Sequence, residues 1–180
     1  MKPSLIAIIA ALSLTAPQVL AEEPAFKPGP VLENFGPAVA VEADFAIPDD
    51  AQFRVSFDVS DKAEEGELSR TLVAAARFMN MHARAGVPVE NLNLAVVVHG
   101  GATKDVTNAG YYSEAVGGEN TNAALIAALI DADVEIVVCG QSAAFHGVGK
   151  DDLLPGVKMA LSAMTAHAVL QGKGYTLNPF

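Results

Sequence analysis

The chain is short of several things at once. Its 180 residues include one cysteine, no tryptophan, and 11 lysines and arginines against 21 aspartates and glutamates. A single cysteine cannot close an internal disulfide, so a disulfide-stapled scaffold is excluded. Paired cysteines for a structural zinc site are missing as well. The formal charge of −10 argues against nucleic acid, because phosphate binding is driven by lysine and arginine displacing counterions. Beyond the N-terminal segment no apolar run is long enough to span a bilayer. The strongest, Val134–Gly140, is strand-sized and follows Asp131 and Asp133. What the chain does have is a hydrophobic fraction of 51%, ample for a packed core, so wholesale disorder is ruled out. The length favours one domain.

The N-terminus reads as a leader. Lys2 supplies a positive start, Leu5–Leu14 is apolar, and Val19-Leu20-Ala21 offers a cleavage site before Glu22. Residues 1–21 are therefore expected to be a cleaved signal peptide, which implies a periplasmic protein with no membrane contact afterwards. Proteins of oxidising compartments usually pair their thiols or lack them. Cys139 is alone, so it is either sheltered by burial or kept for chemistry with a partner.

Residues 22–52 are rich in proline and glycine and predict an extended lead-in, with a hairpin around Val39–Val41. The acids Asp58, Asp61, Glu64, Glu65 and Glu67 read as a solvated loop and helix start. From residue 53 to 180 the chain alternates. Strands are expected at Phe53–Val59, Leu92–Val98, Val134–Val138, Val157–Leu161 and Tyr175–Leu177. Helices are expected at Leu68–Ala85, Thr121–Ala132 (with Asn120 as N-cap) and Ser162–Gln171. Gly100 to Glu119 is expected to be a long loop over the sheet edge, carrying Asn108, Tyr111, Tyr112, Ser113 and Glu114. This pattern specifies an α/β, three-layer fold: a mostly parallel sheet with helices on both faces.

In such sheets reactive groups gather outside the carboxyl ends of the strands. His99 and Cys139 each stand at that end. Gly140 permits a sharp exit from the strand, and Gln141 or Ser142 can then open a helical turn. Backbone N–H groups there favour thiolate over thiol. The alternative is a small buried hydrophobe at the end of a strand. His99 is a candidate base or orienting partner for the thiol, or a histidine satisfied by loop carbonyls. Gly100, Gly101 and Lys104 hint at anion binding but lack P-loop spacing, and nothing in the sequence calls for a cofactor. His146 follows Cys139 by seven residues and can return towards it across a helical turn. Cys139, His99 and His146 together would suit a soft metal if the fold brought them close. His82 lies inside the long helix and reads as structural. Arg70, Arg77 and Arg84 recur every seven residues and read as a solvated face.

Several segments resemble the DsrE/DsrF-like family. They are Val134–Ala144 around the cysteine, Gly147, Leu153–Lys158 and Ser162–Ala166. Asn80–Val87 and Val96–Lys104 look like an exported branch of the same family. The resemblance covers roughly residues 30–180. It implies a fold of the YchN type and assembly into homo-oligomers, often trimers or hexamers. The family's sulfur-relay members carry a persulfide on a cysteine at the end of the corresponding strand, and Cys139 matches that position. Members commonly have arginine where this chain has His146, so a fixed positive charge is not carried over. The combined expectation is a periplasmic sulfur carrier or sulfurtransferase-like protein, served by separate donor and acceptor proteins. Cys139 and His99 would carry the chemistry, and Gly140, Gln141, Ser142, His146, Gly100, Gly101 and Lys104 would shape the site. The rival expectation is a non-catalytic homo-oligomeric assembly module with an inert, buried cysteine.

Overall fold

A computed structural model describes residues 25–179, and the expected leader at 1–21 lies outside the described residues. Apolar strands of five to seven residues form the middle of the sheet: β1 (Phe53–Val59), β2 (Leu92–Val98) and β3 (Glu135–Cys139). Two short strands, β4 (Lys158–Ala160) and β5 (Thr176–Asn178), flank them. The order is β4-β3-β2-β1-β5 and every pairing is parallel. This is the α/β architecture that the alternating pattern specifies.

Alternation along the strands builds two unequal layers. One face carries Val55, Phe57, Val59, Leu94, Val96, Val98, Ile136 and Val138. It packs on helix α1 (Arg70–Arg84) through Leu72, Ala75, Ala76 and Met79. Leu125, Ile126 and Leu129 of α3 (Ala123–Asp131) complete that layer. The other face is thin. Ala95, Val97 and Val137 meet Ala166 and Leu170 of α5 (Ala163–Gly172). Apolar burial contributes roughly in proportion to area, so α5 is held by less hydrophobic contact than α1 or α3.

The lead-in does not form the hairpin expected around Val39–Val41. It makes one antiparallel bridge, Lys27 with Ala38, and wraps against α1. Pro28, Pro30 and Pro37 remove donors from any ladder, and α1 supplies partners instead. The buried Asn80 accepts from Val31 and Leu32 N–H and donates to the carbonyls of Leu32, Phe35 and Gly36. Arg84 donates to the Ala38, Lys27, Pro28 and Gly29 carbonyls, and Arg77 to Pro37. Two of the three arginines expected on a solvated face therefore anchor the lead-in, while Arg70 is exposed. His82 is structural: its Nδ1 donates to the Phe78 carbonyl at 2.8 Å and its ring stacks on Phe78.

The segment expected to be a long loop is folded. Gly100–Val106 is a 3-10 helix and Ala109–Ala115 forms α2, capped by Asn108, whose side chain accepts from Tyr111 N–H. Asn120 does not cap α3. Its amide donates to the Asp105 and Thr107 carbonyls, and its oxygen accepts from Asn122 N–H.

Candidate functional site

β3 ends at Cys139, and α4 (Gly140–His146) begins at the next residue. Gly140 makes that abrupt change possible: an added Cβ would lie 2.6 Å from the Ala160 carbonyl on β4. Cys139 is the N-cap of α4, and Ser142 N–H donates to its sulfur at 3.5 Å. The N–H groups of Gln141 and of Ala163, at the start of α5, also favour the charged form of this sulfur. Burial works to raise the Cys139 thiol, but the hydrogen bonds from the Ser142 hydroxyl and from the Ser142, Ala163 and Gln141 N–H groups outweigh it. They bring the thiol below its ordinary value. Cys139 is only 5% exposed, and its sulfur accepts a hydrogen bond from the Ser142 N–H.

Gly100 links this cradle to the neighbouring strand. Its N–H donates to Ser142 Oγ at 3.0 Å, leaving the Ser142 proton for the sulfur. Its carbonyl accepts from His146 Nε2 at 3.0 Å. α4 thus grips Gly100 at both ends of one peptide residue, and Tyr111 Oη fastens the same helix by donating to the His146 carbonyl at 2.6 Å. Gly100 has φ +53 and lies against the Ser60 carbonyl, which favours glycine there. Gln141 donates to the Leu161 carbonyl at 3.2 Å. Gly101 packs against Lys62, and the Lys104 carbonyl accepts from Thr107.

His99 follows β2, whose Val98 pairs with Val138, so His99 stands beside Cys139, with strands about 5 Å apart. Its described side-chain partner is not the thiol. His99 Nε2 donates to Asp58 Oδ2 at 3.0 Å, and His167 Nε2, from α5, donates to Asp58 Oδ1 at 2.7 Å. Burial works to raise the Asp58 carboxyl, but these two bonds and the histidine charges hold it below its usual range. Asp58 was grouped in the sequence with solvated acids, and His167 was not singled out. The missed signal was positional: an acid within β1, a strand of a covered parallel sheet, needs a partner. Nothing local marked His167.

His146 is therefore committed to Gly100, and His99 to Asp58. A soft-metal site from Cys139, His99 and His146 does not form. Among the described residues no three histidine, cysteine or acidic side chains are arranged to hold a metal ion.

A family model described as DsrE/DsrF-like matches residues 55–179, from β1 through β5. The chain belongs to the DsrE/DsrF-like family. The match includes Cys139, the Gly100 junction and the Asp58 cluster. No curated protein matches the sequence. Among solved structures, a Methanobacterium thermoautotrophicum protein of unknown function, MTH1491, is 20% identical, with a TM-score of 0.53 over 72% of this chain and 100% of its own. The Escherichia coli ychN protein is 15% identical, with a TM-score of 0.49 over 71% of this chain and 100% of its own. At this identity the MTH1491 likeness concerns the fold alone. Sulfur relay is the activity associated with the family.

Proposed function

We propose that this DsrE/DsrF-like protein is an exported, periplasmic sulfur carrier that holds a persulfide on Cys139. The observation that carries this reading is the donor at its one thiol: Cys139 caps α4, and its sulfur accepts from the Ser142 N–H at 3.5 Å. Thiolate is the form that attacks sulfur. The Cys139 thiolate attacks the outer sulfur of a donor persulfide, R–S–SH. The new Sγ–S bond forms as the donor's S–S bond breaks, the donor leaves as the thiolate R–S⁻, and the proton stays on the transferred sulfur. With thiosulfate the leaving group is sulfite. Discharge requires a thiol on a second protein, because the chain has no resolving cysteine. The apolar leader, Leu5–Leu14, supports export.

The test is intact-mass spectrometry after incubation with thiosulfate or polysulfide. A gain of one sulfur atom that is discharged by a thiol and absent in Cys139→Ser is expected. No adduct with any donor overturns the reading.

A second reading, an assembly module with an inert thiol, is favoured by the low exposure of Cys139 and by bare apolar side chains on the elements beside it. Phe145 is 85%, Met164 80% and Leu161 73% exposed. A native thiol that resists a small alkylating reagent would select this reading. The same three side chains support a homo-oligomer in which a second copy covers α4 and the start of α5.

A further inference from the structure

We propose that residues 39–47 of one copy of this chain form an arm that docks in the apolar groove between β4 and α5 of a second copy, with Phe45 in the groove and Glu42 and Asp44 facing Lys173. The inference rests on the homo-oligomer proposed above and names the segments that meet in it.

The arm is bare. Every residue from Ala40 to Asp50 is exposed, and Val41 and Phe45 are 74% and 93% exposed. Among the described residues Val39 to Ile47 make no hydrogen bond. Both ends are nevertheless fastened. Ala38 pairs with Lys27 and accepts from Arg84. Ala51 N–H donates to the Pro48 carbonyl, and the Ala51 carbonyl accepts from Asn91. A segment anchored at both ends loses less freedom on docking than a free tail does. Apolar side chains grouped in water in this way mark a contact surface.

The groove matches the arm in size and in charge. Met159, Leu161, Val169 and Leu170 line a cavity of about 260 Å³ beside β4, the edge strand. A cavity of roughly 150 Å³ holds a benzene ring, so the Phe45 ring fits. Lys158 and Lys173 line the same groove. Lys158 is paired with Glu135 at 3.1 Å, whereas Lys173 has no acidic partner among the described residues. The arm carries the opposite sign. Between Ala38 and Arg54 stand Glu42, Asp44, Asp49 and Asp50, with no lysine, arginine or histidine.

A chain's own arm does not reach its own groove. The arm leaves from the α1 face and joins β1, while the groove lies on the α5 face beside β4. Three strand spacings of about 4.8 Å and a layer of about 10 Å separate β1 from it. Nine extended residues span about 30 Å, so an arm that returns to its anchor reaches out about 15 Å. That is too short to pass around the sheet, and the groove is filled by the arm of another copy.

The experiment is photo-crosslinking in the full chain, with benzoylphenylalanine in place of Ala46 and isotope-labelled parent chains mixed in. A crosslink from residue 46 to a labelled peptide within residues 158–173 is expected. Crosslinks that stay within one chain, or that join labelled peptides elsewhere, overturn the proposal. Phe45→Ser is expected to weaken self-association at least tenfold in sedimentation, the effect of one lost aromatic contact, with an unchanged circular dichroism spectrum. Parental self-association in that variant overturns the proposal. Lys173→Glu is expected to weaken self-association about threefold or more, and Glu42→Lys with Asp44→Lys in the same chain to restore it. No recovery overturns the facing of these charges. A monomeric parent removes the homo-oligomer itself, whereas an oligomeric parent without the expected crosslink removes only the arm.

Discussion

At the scale of single residues, the chemistry turns on how many donors face one sulfur. Ser142 contributes through both its hydroxyl and its N–H. Ser142→Ala keeps the N–H and loses the hydroxyl, and it also leaves the Gly100 N–H without its acceptor. The expected result is an upward shift of the alkylation midpoint and a stability loss of about 1–2 kcal/mol in urea unfolding. Asp105 shows the converse case. Its Oδ2 accepts from the Ala63 N–H at 2.8 Å, but Oδ1 is buried without a partner. Burial pushes its carboxyl up to about 6, against the pull of the Ala63 N–H and Lys62. Because the folded value lies above the unfolded one, the folded chain holds its proton longer. Stability from this group is complete at low pH and declines as pH rises towards about 6. Asp105→Asn is therefore expected to be more stable than the parent by up to about 3 kcal/mol near pH 8, with the gain vanishing near pH 4. Urea unfolding at the two pH values checks this, and a gain at both would contradict it.

At the scale of elements, polar side chains do work that apolar packing leaves undone. The lead-in has few neighbours to pair with in a ladder, so Asn80 satisfies five backbone groups from one buried position on α1. Asn80→Ala would strand those groups. A loss of about 2–4 kcal/mol is expected, together with early proteolysis around residues 31–38. Gly36 has φ +60 and lies directly against the Ala76–Arg77 backbone. Gly36→Ala should release the same segment while leaving the sheet intact, which amide exchange can separate: protection lost at 31–38 and retained in β2. α4 is a similar case at the rim. Its seven residues are too few to hold themselves, so Ser142 and His146 tie it to Gly100 and Tyr111 ties its end.

At the scale of the molecule, the two layers differ in thickness, and the bare apolar side chains flank the thinner one. If a second copy covers Phe145 and Met164, then Phe145→Lys with Met164→Lys should lower the mass seen by sedimentation while the circular dichroism stays unchanged. A monomeric parent would remove the assembly. The parallel α/β sheet, the α1 core stripe and the rim position of Cys139 and His99 were legible in the sequence. Runs such as Leu92–Val98 and the spacing of Leu72, Ala75 and Met79 carry their own period. The lead-in's docking, the folded segment after Gly100 and the pairing of Asp58 with His167 were not legible. Local periodicity decides which residues form a strand or a helix, because each depends on neighbours a few positions away. A hydrogen bond between residues 109 apart depends on the register of one finished element against another, and only the assembled tertiary structure sets that distance.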